Sequence, residues 1–164
     1  MRAAGTAIWP RSSPTTPGRP LPMKIDPQRV RARLDDIRRS ITRLRELLGE
    51  GRQKFTEDQD VQDIARSRLL VAIEAAIGLC FHVSAKHLGR VPEEYGQCFR
   101  ILGEEGFLDP DLAGRLVAMA RFRNRLVHLY WEIDFGQIYD FLPEGLEDLE
   151  RFADRVGRLL RDGP

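Results

Sequence analysis

Between residues 30 and 160 the apolar side chains recur at helical spacing, and no stretch alternates as a strand would. Val30, Leu34, Ile37, Ile41, Leu44 and Leu48 step by fours and threes, which lays one apolar face along a helix before Gly49 and Gly51 stop it. A second helix is expected from about residue 60 to 88; it is apolar on most faces, as the centre of a bundle would be. A third is expected over about 92–105, with Pro92 placed to start it and Gly106 to end it. Asp109 followed by Pro110 is a strong start for a fourth, running to about Ile133. Residues 135–160 are helical again, with a break or kink expected at Pro143. The consistent solution is an all-α antiparallel bundle of four to five helices.

The 164 residues suit one domain. Residues 1–22 hold five prolines and no apolar period, so they are expected to be a disordered tail, with the helical domain over 23–164 and Met23 as an alternative start. The 26 Lys and Arg against 25 Asp and Glu leave almost no net charge, so any attraction for phosphates must come from local clusters. All basic residues but Lys24, Lys54 and Lys86 are Arg, which favours forked phosphate contacts. The opening segment does not read as a secretory signal, and the longest apolar run, Leu69 to Phe81, is short of a membrane span. A cytoplasmic protein with Cys80 and Cys98 as free thiols is expected. Cys80, His82, His87 and Cys98 match no zinc spacing, so no metal is expected.

One helix breaks the apolar pattern. Leu112, Leu116, Met119, Arg123, Leu126, Tyr130 and Ile133 continue the stepping, so Arg123 stands where Leu is expected, with Tyr130 almost in line with it. His128 falls about 140° around from Arg123, beside Asn124 and Trp131. A guanidinium in a dry core costs several kcal/mol unless paired. Two explanations stand: an ion pair, with Glu74 of the second helix as partner, or a cleft where Arg123 faces an anion.

Arg123, Asn124, His128 and Tyr130 spell R-N-x-x-x-H-x-Y, which resembles the hallmark of HEPN ribonucleases, and the terminal Tyr points to the HepT branch. Leu69 to Val83, Pro92-Glu-Glu-Tyr with Phe99-Arg-Ile-Leu, and Tyr130-Trp-Glu-Ile-Asp with Ile138-Tyr also resemble that family, so the likeness spans about residues 23–162. The resemblance implies a homodimer whose motifs face each other, metal-independent cleavage of RNA, and the HepT/MntA type VII toxin–antitoxin setting. There, an MntA-like minimal nucleotidyltransferase antitoxin attaches AMP to the motif tyrosine, here Tyr130. No cofactor is required.

The chemistry assigns roles. Metal-free cleavage uses the 2′-hydroxyl as nucleophile and leaves a 2′,3′-cyclic phosphate; His128 is suited to move the proton and Arg123 to hold the charged oxygens. Asn124, four residues before His128, is placed to fix its ring or touch phosphate. Arg121 and Arg125, on the outer face, either track an RNA backbone or form a solvated face paired with Glu132. An alternative keeps the same residues without catalysis: a helical binding module that is the partner and AMP acceptor of a nucleotidyltransferase.

Overall fold

The computed structural model describes residues 24–163. The expected tail at 1–22 lies outside them. The order is α1 (Pro27–Gly49), α2 (Arg52–Glu57), α3 (Gln59–Lys86), α4 (Tyr95–Glu104), α5 (Pro110–His128), a 3₁₀ turn (Tyr130–Glu132) and α6 (Phe135–Asp162), with no strand among the described residues. The all-α bundle expected from periodicity is what forms.

Each of the four long helices starts at an aspartate. The carboxylates of Asp26, Asp58, Asp109 and Asp134 accept hydrogen bonds from backbone N–H groups two and three residues on, satisfying donors that the helix cannot. Pro27 and Pro110 follow two of these caps, where a missing N–H costs nothing. α1 lies mainly along α3, α4 along α5, and α6 closes the bundle against α1. At the α4–α5 crossing a Cβ on Gly103 would stand 2.8 Å from the Cβ of Ala113, so only glycine lets the two backbones come this close. Ile37, Leu44, Ile73, Leu102, Leu116 and Phe152 are fully buried at the centre. α3 has the length and apolar composition of a membrane-crossing helix, but 61% of its most apolar window is buried within the bundle.

Four local expectations change. A short helix, α2, precedes α3; its anchor is the buried Phe55, whose ring meets those of Phe135 and Tyr139 at 6.2 and 5.4 Å. The third helix begins at Tyr95, not Pro92, because the Glu93 N–H is taken by the Gln97 side chain and the first helical bond runs from Cys98 N–H to Glu94 C=O. α6 runs through Pro143 without a break. That proline faces solvent, while Ile138, Leu142, Leu146 and Leu149 stay buried on both sides of it and offset the lost bond. Finally, α5 stops at His128 instead of reaching Ile133. Leu129 leaves the helical region (φ −128°, ψ 38°), and Glu132 N–H closes the 3₁₀ turn onto Leu129 C=O as the chain reverses toward the Asp134 cap.

The free thiols are also replaced. Cys80 of α3 and Cys98 of α4 form a disulfide, their Cα atoms 6.0 Å apart and both side chains fully buried. Packing α4 on α3 brings together two cysteines that the sequence places 18 residues apart. The unfolded, unreduced chain should therefore titrate no thiol. Cys98→Ser should cost about 3 kcal/mol of stability by the chain-entropy argument, read from denaturant midpoints.

The same core holds His82 as a neutral acceptor: the Asp26 N–H donates to its Nε2 at 3.0 Å. Burial first, and then the Arg29 charge, push its pKa below the ordinary 6.5; burial and Arg155 do the same to His87. With the folded pKa depressed, the unfolded chain takes up protons first as the pH falls below 6.5. The stability from these imidazoles is whole above that value and is lost below it, until the folded form titrates too. Denaturant midpoints should fall between about pH 7 and pH 5, and less steeply in His82→Gln.

Candidate functional site at the end of α5

The last turns of α5 and the reversal after it carry Arg121, Arg123, Asn124, Arg125, His128 and Tyr130. Arg123 faces inward across the seam between α5 and the antiparallel α3. Its Nε donates to a Glu74 carboxylate oxygen at 2.5 Å, and its guanidinium carbon lies 5.5 Å from the ring centre of Tyr95 on α4. The seam is open at this point: the Arg123 side chain is 20% exposed and that of Glu74 39%. Arg123 thus forms the first of its two expected arrangements. It is ion-paired to Glu74, yet only through Nε, and its two terminal nitrogens have no protein acceptor among the described residues.

His128 is the last residue of α5 and is exposed. Asn124, also exposed, lines a small cleft between α4 and α5 with Glu94, Tyr95, Arg100 and Arg121. It makes no hydrogen bond to His128, so of its two expected roles the phosphate contact is the one left available. Arg121 and Arg125 are exposed and without carboxylate partners among the described residues; the pairing with Glu132 does not form.

Tyr130 departs furthest from expectation. The apolar stepping predicts it in line with Arg123 on one long helix, but the early end of α5 moves it onto the 3₁₀ turn, 55% exposed. Its ring lies 5.1 Å from the Arg66 guanidinium of α3 and meets the ring of Trp131 edge-on at 5.2 Å. Arg66 escaped the sequence reading, although a signal existed. Arg66, Leu70 and Glu74 are four apart, one ridge of α3, and an antiparallel α5 sets Tyr130 and Arg123 against its two ends.

Cys80, His82, His87 and Cys98 do not converge: the cysteines bond each other, His82 receives Asp26, and His87 packs against Phe107 at 6.0 Å. Among the described residues no group of three or more His, Cys, Asp or Glu is placed to hold a metal. Taken together, this end of the bundle offers a forked cation with a free end, an exposed imidazole, an exposed phenol and three further guanidinium groups. That set can grip an anion and move a proton.

A double-mutant cycle tests the seam. Glu74→Gln and Arg123→Gln should each destabilise, with a coupling of about 1 kcal/mol after solvent screening of the half-open pair; additive effects in urea titrations would contradict the pairing.

A family model described as Ribonuclease HepT-like matches residues 37–156. The chain is 28% identical over 120 residues to an mRNA nuclease HepT of Shewanella oneidensis, covering 73% of this chain and 90% of that one. It is 25% identical over 136 residues to a tRNA nuclease HepT of Aphanizomenon flos-aquae, covering 83% and 92%. Among solved structures it resembles a tri-AMPylated Shewanella oneidensis HEPN toxin in complex with MNT antitoxin: TM-score 0.74, 25% identity, 81% of this chain and 99% of that one. A cytosolic Bacillus subtilis protein of unknown function, YutE, shares the fold at TM-score 0.72 and 18% identity, over 85% of this chain and 95% of that one.

Proposed function

This chain belongs to the Ribonuclease HepT-like family, and from that membership we propose that it is the toxin of a toxin–antitoxin pair, an endoribonuclease restrained by AMP addition at Tyr130. The observation that carries the catalytic reading is Arg123. Glu74 holds only its Nε, so the fork is fixed in direction while both terminal nitrogens stay free for phosphate oxygens.

In the reaction, the RNA 2′-oxygen bonds to the adjacent phosphorus and the bond to the 5′-oxygen breaks. The products are a 2′,3′-cyclic phosphate and a 5′-hydroxyl. His128 takes the 2′ proton or returns one to the leaving oxygen, and no metal is needed for either. Arg123 stabilises the charge that grows on the non-bridging oxygens, and Asn124 contacts the same phosphate. One motif histidine per chain suits a homodimer in which two copies of His128 divide the acid and base roles. An apolar groove beside α5, lined by Leu69, Ile73, Met119, Phe122 and Phe141, gives a face for the second copy. Arg121 and Arg125 add cationic surface for the RNA backbone.

The antitoxin partner is an MntA-like nucleotidyltransferase. Its chemistry joins the Tyr130 phenolic oxygen to the α-phosphorus of a nucleoside triphosphate; pyrophosphate leaves and the phenolic proton passes to a base. The phosphodiester gained is anionic and bulky, and it excludes RNA from the cleft by repulsion and volume. The pair acts in the cytoplasm, away from membranes.

A second reading has its own support. Tyr130 sits off the helix and half in solvent, where a transferase reaches it whether or not the chain cuts RNA. The chain would then be a non-catalytic helical AMP acceptor.

Purified without antitoxin, the protein should cut RNA in EDTA, and His128→Ala should lower the rate at least about 100-fold. Tyr130→Phe should keep cleavage and gain no AMP mass on co-expression with the antitoxin. Full activity in His128→Ala would sink the nuclease reading, and AMP addition without any cleavage would favour the second.

A further inference from the structure

The turn between α5 and α6 carries two groups that the chemistry above does not use. Arg66 reaches it from α3, with its guanidinium carbon 5.1 Å from the Tyr130 ring centre. Trp131 meets the same ring edge-on at 5.2 Å, and it is 66% exposed, more than any phenylalanine or tyrosine among the described residues. Resting on the endoribonuclease reading, we propose that Arg66 and Trp131 form a nucleotide subsite, in which the indole stacks a base and the guanidinium holds the adjoining phosphodiester.

Single-stranded nucleic acid is held by this pairing of an aromatic face with a forked cation, because every base has a π face and every linkage a charge. Arg66 is ready for it. Its contact with the Tyr130 ring orients the fork without occupying its hydrogen-bond donors, and it has no carboxylate partner among the described residues. A phosphate binds there without breaking an ion pair. The α4–α5 cleft is less suited: its Arg100 is bonded to Glu94 at 2.8 Å, and that carboxylate would face the incoming anion. The position of the turn also matters. It begins two residues after His128, so the subsite and the proposed catalytic imidazole stand close together along the chain.

The chemistry recognised is a nucleoside phosphodiester, and two sources supply one: an RNA strand, or the nucleotide attached to Tyr130. Trp131 reports on both. In the full chain carrying Trp9→Phe it is the only indole, and His128→Ala stops cleavage during titration. Oligouridylate should quench its emission if the strand binds there. AMP-bearing protein should show lower emission than unmodified protein if the tyrosine-linked nucleotide folds back onto the indole. Trp131→Ala should weaken oligouridylate binding about tenfold, measured with a labelled strand. Arg66→Gln should reduce the slope of log affinity against log salt by about 0.7, and Arg66→Lys should keep it.

Quenching in either arm supports the subsite and names its occupant. Quenching in neither overturns it. Unchanged affinity and salt slope in Trp131→Ala and Arg66→Gln, with the chain that keeps His128 still cutting RNA, overturns the strand as occupant and leaves the nuclease reading standing. Loss of affinity that only follows loss of self-association in sedimentation assigns the turn to the dimer contact and overturns the subsite. A parent that neither binds nor cuts RNA overturns the nuclease reading, and the AMP arm alone then decides the subsite.

Discussion

A guanidinium set into the packing seam between α3 and α5 is the constraint around which this bundle is arranged. Arg123 is balanced there by a counter-charge, which Glu74 supplies from the apolar middle of α3. The pair fixes the register of α5 against α3, and Tyr95 on α4 closes over the same guanidinium. Three helices thus converge on one side chain. Because Glu74 engages Nε alone, the demand for charge balance is met while the two terminal nitrogens are left free of protein acceptors among the described residues. A seam built this way gives up some packing to hold a cation in a set direction.

The remainder of the fold serves that placement. Four aspartate caps set where the long helices begin, the Cys80–Cys98 disulfide binds α4 to α3 next to the seam, and the glycine at 103 lets α4 settle on α5. Each is a local device with a non-local effect: it fixes Tyr95 and Glu74 relative to Arg123.

How much of this could be read from the chain depended on the range of the interaction involved. The apolar stepping of Val30 to Leu48 and the Asp109-Pro110 start are local and were legible. So was the choice of Arg123 and Glu74 as partners, since only one acid interrupts the apolar run of α3. Pro143 misled because its penalty is local, whereas the burial of Leu142 and Leu146 that offsets it depends on the bundle. The end of α5 was missed for a related reason: no glycine or proline marks it, and the chain turns there because Asp134 starts the next helix. That single error carried Tyr130 onto the wrong surface. The cysteine pairing depends on how α3 meets α4, which no one-dimensional pattern encodes, and the four-residue spacing of Arg66, Leu70 and Glu74 points to the Arg66 contact only once α3 and α5 are known to pack antiparallel.

The location of Tyr130 has a further consequence. Its turn lies between two completed helix ends, one closed by Leu129 N–H on Arg125 C=O and the other by the Asp134 carboxylate. Nothing in the core rests on its side chain. Substituents can accumulate on that phenol with no helical hydrogen bond broken and no cavity opened. Whatever binds this surface can vary independently of what keeps the bundle folded.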